Sequence, residues 1–358
     1  MDNGYYKLNT SALRVFTKAF EVNPAGDLEE MFRQVYTLLM NEGEIVELSQ
    51  SPADREINPS PDKRVPVPQP QPRTTILPEL LSSLSKHVRT ASRIDSPLSP
   101  RLLTLLAVNS DAHTATEVAE SLLRILHNRE PLAVSGHRVI VLLDEDVIVK
   151  LGRDLGTDEF ALLHLLYERV PTVNAPRTLG YMTIGPVSCM FMMRLPGDTL
   201  KDRWPTLDMQ KKQAVRTLLG PMFSSLRAIH PHQYRAHRFC NELQFNEILI
   251  HSDTSRASSS YRRWVLSMLR QDHHIVLTHG DLHPGNILVD IVDTGGVAVG
   301  LIDWEMGGFY PEYWEMLEAM NTRDIRDSSD WWEYLPQTIL GYDQEIAIDR
   351  LLENSLLA

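Results

Sequence analysis

Apolar residues recur every three to four positions early in the chain. Leu28, Met31, Phe32, Val35, Leu38 and Leu39 fall on one side of a helix, and residues 1–48 are predicted to form a helical N-terminal extension. The rhythm then stops. Residues 49–77 open on SQSPADREINPSPDKRVPVPQPQPR, whose prolines donate no backbone hydrogen bond and which has little apolar surface to bury. An extended linker is expected there, and its proline content also suits weak docking to a partner module. Helical spacing returns over 78–130 in PELLSSLSKHVRT, SPRLLTLLAV and ATEVAESLLRILHN, where Val118, Leu122, Leu123 and Leu126 share one face.

From about residue 131 the pattern turns to β-branched runs. AVSGHRVIVLL and DVIVKLG flank Asp144-Glu145-Asp146 and read as a hairpin, and TDEFALLHLLYERV reads as the helix after it, with Thr157 as its cap. A second strand pair covers 178–194 and turns at Gly185-Pro186. After Gly197 the chain is mostly helical, apart from one more hairpin in which Asp293-Thr294-Gly295-Gly296 separates NILVDIV from VAVGLIDW. Strands gathered in 131–195, ahead of a helix-rich 196–358, argue for α+β layering and against alternating βαβ units.

Composition narrows the classes of function. The chain has 358 residues and a formal net charge of -12, a balance that opposes sequence-independent nucleic-acid binding and favours, weakly, a cationic small-molecule partner. Cys189 and Cys240 are the two cysteines and read as buried thiols in a reducing compartment. No apolar run is long enough to cross a bilayer, and the first residues lack the layout of a secretory signal, so a cytoplasmic location without membrane contact is expected.

The densest chemistry lies in His279-Gly280-Asp281-Leu282-His283-Pro284-Gly285-Asn286, between the apolar anchors Ile275–Leu277 and Ile287–Val289. Packed flanks of this kind fix polar side chains. The following hairpin returns Asp303 toward Asn286. Phosphoryl transfer needs a group that orients a hydroxyl, oxygen ligands for magnesium and a cation on the phosphates. Asp281 suits the first role, and Asn286 with Asp303 the second. Lys150, at the end of Val147-Ile148-Val149-Lys150, suits the third, with Glu159 on the next helix to aim it. His279 and His283 are four apart, but Gly280 and Pro284 oppose a helix and no third ligand is suitably spaced. They read as braces for the loop and not as zinc ligands, and His230, His232 and His237 read as surface.

HGDLHPGNIL followed by LIDWE resembles the aminoglycoside phosphotransferase and choline kinase-related family, over roughly residues 131–320. GFYPEYWE at 308–315 is similar in detail to fungal members of unassigned substrate. The resemblance implies a protein-kinase-like two-lobed fold, with a small antiparallel-sheet N-lobe over 131–195 and a larger helical C-lobe over 196–358. It implies Asp281 as catalytic base, Asn286 and Asp303 as magnesium ligands, Lys150 with Glu159 on the phosphates of ATP or GTP, and Met192, Met193 and Arg194 in a hinge that reads the base through its backbone. The phosphate-covering loop falls near AVSGHRVIV and holds only Gly136, where the family pattern has several glycines.

Three functions follow. The first is a kinase acting on a hydroxyl of a small molecule that is aminoglycoside-, choline- or metabolite-like, and Lys150, Glu159, Asp281, Asn286 and Asp303 favour it by filling every expected position. The second is a protein kinase, for which the short run between Asp303 and PEYWE leaves little room for a peptide platform. The third is a non-catalytic nucleotide-binding or scaffold module, favoured by the glycine-poor loop. Tyr310–Glu315 and Asp330-Trp331-Trp332-Glu333 could line an anionic aromatic pocket for an ammonium group, or equally be core.

Overall fold

The computed structural model describes residues 76–109, 111–153, 155–231, 241–253, 258–291, 296–321 and 329–356. The predicted N-terminal helices, the linker as far as residue 75, His232, His237, Cys240 and the turn at 292–295 lie outside them. The chain divides into two compact units, one of residues 72–237 with 273–343, the other of 1–71, 238–272 and 344–358.

The first unit opens with helix α1 (Ile76–His87), which begins inside the stretch predicted to be linker. Strand β1 (Ser92–Ser96) follows, then α2 (Pro100–Leu105) and α3 (Ala115–Leu126). A capping box starts α3: Thr114 Oγ1 accepts from the Glu117 backbone N–H, and Glu117 accepts from that of Thr114. Next come β2 (Pro131–Ser135), β3 (Arg138–Leu142) and β4 (Val147–Gly152), then α4 (Thr157–Arg169), β5 (Thr178–Ile184) and β6 (Val187–Met193). The cap of α4 is Gly156, which has no side chain to donate or accept, and not the predicted Thr157.

These strands form one antiparallel sheet in the order β1-β5-β6-β4-β3-β2. The order corrects the sequence reading at one point. SRIDS, between two stretches of helical spacing, is an edge strand paired with β5, so the sheet begins well before residue 131. AVSGHRVIVLL divides into two strands at Gly136-His137, where the phosphate-covering loop was expected. Five-residue strands carry too few alternations to stand out against a helical background.

Alternation in β4 sorts the core. Val147, Val149 and Leu151 join the apolar cluster of α1, α2 and α3, whereas Ile148 joins the one built from α4 and the later helices. Lys150 shares the face of Ile148, so it points where those later elements converge.

The rest of this unit is β7 (Asp198–Thr199), α5 (Leu200–Arg203), α6 (Met209–Arg227), β8 (Ile275–Thr278), β9 (Ile287–Ile291), β10 (Val297–Leu301), β11 (Gly308–Pro311) and α7 (Trp314–Asn321). The predicted hairpin is β9–β10, with Val289 opposite Val299, and β7 adds a short third strand. Strand β8 pairs with β11, which fixes the entry to the His279–Asn286 loop.

In the second unit are helices Glu242–Asp253 and Ser259–Leu266, and Asn246 Nδ2 on the first donates to the carbonyl of Arg270, beyond the end of the second, at 2.9 Å. Among the described residues no helix is long and apolar enough to cross a membrane.

Candidate active site

Lys150 lies on a central strand, between Ile140 of β3 and Met190 of β6, and its side chain is almost fully buried. Its Nζ donates to both carboxylate oxygens of Glu159 on α4, at 3.1 and 2.9 Å. It also reaches Asp303 Oδ1 at 2.6 Å and Glu305 Oε2 at 3.1 Å. Burial works against the lysine's charge, but the three carboxylates outweigh it and hold its pKa above the ordinary range. The sequence reading paired Lys150 with Glu159; it did not foresee that the same ammonium bonds Asp303. Glu305 was passed over altogether. The 3₁₀ turn Trp304–Met306 brings it back beside Asp303, and only that turn makes the two carboxylates neighbours.

Asp303 adopts a left-handed backbone conformation, φ 64°, that few residues other than glycine tolerate. Two contacts fix it on either side. The Ile302 N–H donates to the Asn286 carbonyl at 2.9 Å, and the buried Trp304 donates Nε1–H to the Leu301 carbonyl at 2.9 Å.

Asp281 sits in the loop between β8 and the 3₁₀ turn Pro284–Asn286. Asn286 Nδ2 donates to its carbonyl and to its Oδ2, both at 2.9 Å. Burial would raise the Asp281 pKa, but the contacts of His283 and Asn286 pull it below the usual carboxylate value. Burial would raise the Asp303 pKa and the Asp281 charge adds to that, but Lys150 outweighs both and holds it below the usual carboxylate value.

The two histidines hold the loop from inside. His279, wholly buried, donates Nε2–H to the Ile302 carbonyl at 2.9 Å and accepts the Asp281 N–H at Nδ1, 3.3 Å. Its ring lies 4.6 Å from that of Trp304, and burial lowers its pKa, so it is neutral. His283 Nδ1 accepts the Gly285 N–H at 3.0 Å, and its Nε2 faces Asp281 Oδ2 at 3.7 Å. At Gly280, φ 75°, an added Cβ would lie 2.4 Å from the Met306 carbonyl oxygen, so a side chain there would part the loop from the turn that carries Glu305.

Glu315 is a further residue, for which the sequence left two settings open, pocket wall and core. It is 1% exposed on α7, and its Oε2 accepts the His279 N–H at 2.6 Å. A charge among Trp314, Met316 and Leu317, all buried, was the available signal. Burial pushes its pKa up to about 7, against the pull of the His279 N–H, Arg227 and the Gly280 N–H. An acid raised in the fold is protonated there at pH values where the unfolded chain has ionised it. It therefore costs nothing below the unfolded value and progressively more up to about pH 7, roughly 3 kcal/mol in all. Glu315→Gln does not titrate. In urea unfolding from pH 5 to 8, its stability relative to the native chain is expected to improve by about 2 kcal/mol, and a difference that stays flat with pH would contradict the raised carboxyl.

Other expected site residues are placed differently. The N–H groups of Met193 and Arg194 bond the carbonyls of Arg177 and Asp146 at 2.8 Å, and Met192 lies within β6, so the two donors expected to read a base are engaged. Gly136, φ 54°, forms a two-residue turn and not an extended loop. Tyr310, Tyr313, Trp314 and Trp331 are buried core residues, and Asp330 bonds Lys212 and Trp204, so the anionic aromatic pocket drawn from sequence is not formed by them. Cys189 is buried with its thiol pKa raised, and His230 is exposed.

Three oxygen-bearing side chains, Glu159, Asp303 and Glu305, each offer an oxygen within 4.8 Å of the others. Asn286 donates through Nδ2, which leaves its amide oxygen as an acceptor. Hard oxygen donors of this kind fit magnesium.

The sequence model of the phosphotransferase enzyme family matches residues 133–335, more than half of the chain. The chain belongs to that family. The antiparallel sheet and the helical part after it are the two lobes of a protein-kinase-like phosphotransferase, and Lys150 and Asp303 meet where the lobes face. The phosphotransferase is similar to several solved structures. One is the GDP complex of wild-type aminoglycoside 2'-phosphotransferase-IIIa, 15% identical with a TM-score of 0.48, covering 64% of this chain and 82% of that one. Another is the gentamicin complex of APH(2")-IIa, 13% identical with a TM-score of 0.49, covering 68% and 86%. A streptomycin and ATP complex of APH(2")-IIa is 14% identical with a TM-score of 0.46, covering 69% and 87%. A comparison with curated proteins gives no match.

Proposed function

We propose that this phosphotransferase moves the γ-phosphoryl group of ATP or GTP to a hydroxyl of a small molecule. Asp281 orients and deprotonates the hydroxyl, Lys150 holds the phosphates with Glu159 aiming it, and Asn286 and Asp303 are the magnesium ligands. Magnesium, when bound, supplies positive charge to the phosphate oxygens. One observation carries the proposal: Lys150 Nζ bonds Glu159 on one lobe and Asp303 on the other, and Asn286, which bonds Asp281, accepts at its carbonyl the N–H of Ile302, the residue before Asp303. The low pKa of Asp281 keeps it ionised and ready to accept a hydrogen bond from the hydroxyl.

A scaffold role is the second reading. The two-residue β2–β3 turn and the engaged Met193 and Arg194 donors favour it. A thermal-shift titration with ATP and GTP, with and without magnesium, separates the two. Magnesium-dependent stabilisation is expected, and Asp303→Ala is expected to abolish the magnesium dependence. No shift at saturating nucleotide would favour the scaffold, and an unchanged dependence in the variant would remove Asp303 from the metal.

A further inference from the structure

The β2–β3 turn is too short and too poor in glycine to wrap phosphates with backbone N–H groups. Directly after it, at the start of β3, stands Arg138. Its guanidinium Nη1 bonds Glu305 Oε2, and Lys150 Nζ donates to that same oxygen at 3.1 Å. One carboxylate oxygen is thus shared by two cations from neighbouring strands. Arg138 and Glu305 remain about one-fifth exposed, at 23% and 19%, so the pair borders solvent and a ligand can reach it. Arg138 is also the only cation besides Lys150 that the described residues place on these carboxylates.

We propose that Glu305 sits where a nucleotide phosphate binds, and that Arg138 is a phosphate-binding residue freed when nucleotide displaces that carboxylate. The proposal rests on the phosphotransferase reading above. A planar guanidinium matches a phosphate with two parallel N–H bonds, which compensates for the missing glycine loop. Glu305 then sets affinity from the opposite side. It keeps Lys150 and Arg138 neutralised without ligand, and it must be displaced before phosphate oxygens can take its place. An anion already seated between two cations is a competitor, so removing its charge makes the site bind phosphate more tightly.

The test is calorimetric titration of the full chain with ATP, GTP and the matching nucleosides, with magnesium chelated so that any metal contact of Glu305 is silent. Arg138→Ala is expected to weaken triphosphate binding about tenfold or more while nucleoside binding is unchanged, and Arg138→Lys to fall between, since it keeps the charge and loses the fork. Glu305→Gln is expected to tighten triphosphate binding several-fold, because a neutral amide competes less well for the two cations. Melting of each variant without ligand verifies that it is folded, and Arg138→Lys preserves the test if the alanine variant is not. Wild-type affinity in both Arg138 variants, or weaker binding by Glu305→Gln, overturns the proposal and leaves the phosphotransferase reading standing. A native chain that binds neither triphosphate, with magnesium chelated or restored, overturns both.

Discussion

Asp281→Ala is expected to yield a protein that binds nucleotide and does not turn it over. A positioned general base contributes about 10²- to 10⁴-fold, and the loss should appear in kcat with little change in nucleotide affinity. The loop has reason to survive the change. Asn286 Nδ2 bonds both the Asp281 side chain and its carbonyl, and the carbonyl remains in the variant. The β8–β11 pairing, the His279 bond to Ile302 and the Glu315 clasp on the His279 N–H do not involve the Asp281 side chain. Single-turnover release of ADP or GDP, measured beside a binding isotherm, separates the two effects. Near-native turnover would remove the base assignment, and a parallel collapse of binding would show that Asp281 serves the loop more than the reaction.

Lys150→Met should be the most destabilising change at the site. Glu159 is 5% exposed, and without Lys150 its charge is left buried beside Asp303 and Glu305. Breaking a buried pair from one side costs about 3–5 kcal/mol, enough to lower Tm by roughly 10 °C in a domain of this size. The variant should also show a steeper pH dependence than the native chain. Burial already raises the Glu159 pKa in the fold, and loss of its cation raises it further above the unfolded value. Its cost is absent at pH values below the unfolded value and appears as pH rises through the window between the two. Lys150→Met is therefore expected to be closer to native stability at pH 5 than at pH 8. Adding Glu159→Gln should restore much of the loss at pH 8 without restoring nucleotide binding. Thermal melts of the single and double variants at both pH values decide the matter, and a pH-independent loss would mean that packing of the lysine stem dominates.

How much of this was legible beforehand depended on whether a feature repeats locally. The β5–β6 and β9–β10 hairpins announced themselves through long apolar runs about a turn. Asp281 and Asn286 stood out because only four residues of loop separate them between two packed strands. Lys150 and Glu159 could be paired from the order of strand and helix. The contacts of Lys150 to Glu305 and of Arg138 to Glu305 could not, because they join residues more than 150 positions apart through a single 3₁₀ turn. Glu315 was visible as a carboxylate among aromatic residues, yet the sequence offered two settings for it, pocket wall or core, and only its bond to the loop decides between them. The engagement of the hinge donors was illegible for another reason. Backbone donors are the same at every residue, and whether those of Met193 and Arg194 are engaged depends on where Arg177 and Asp146 come to rest.

Strand β1 bears on what counts as the smallest independent piece of this protein. The stretch that matches the family begins at residue 133, yet β5 pairs on its outer side with β1, and Val139, Val141, Val147 and Val149 pack in one cluster with Leu80, Leu102, Val118 and Leu122. The boundary drawn by likeness cuts through a single hydrophobic interior. A chain trimmed to that boundary would leave one face of the sheet wet and the edge of β5 open to other strands. The unit that is recognisable by descent and the unit that folds cooperatively are therefore different lengths of the same chain, and residues 76–126 are part of the second.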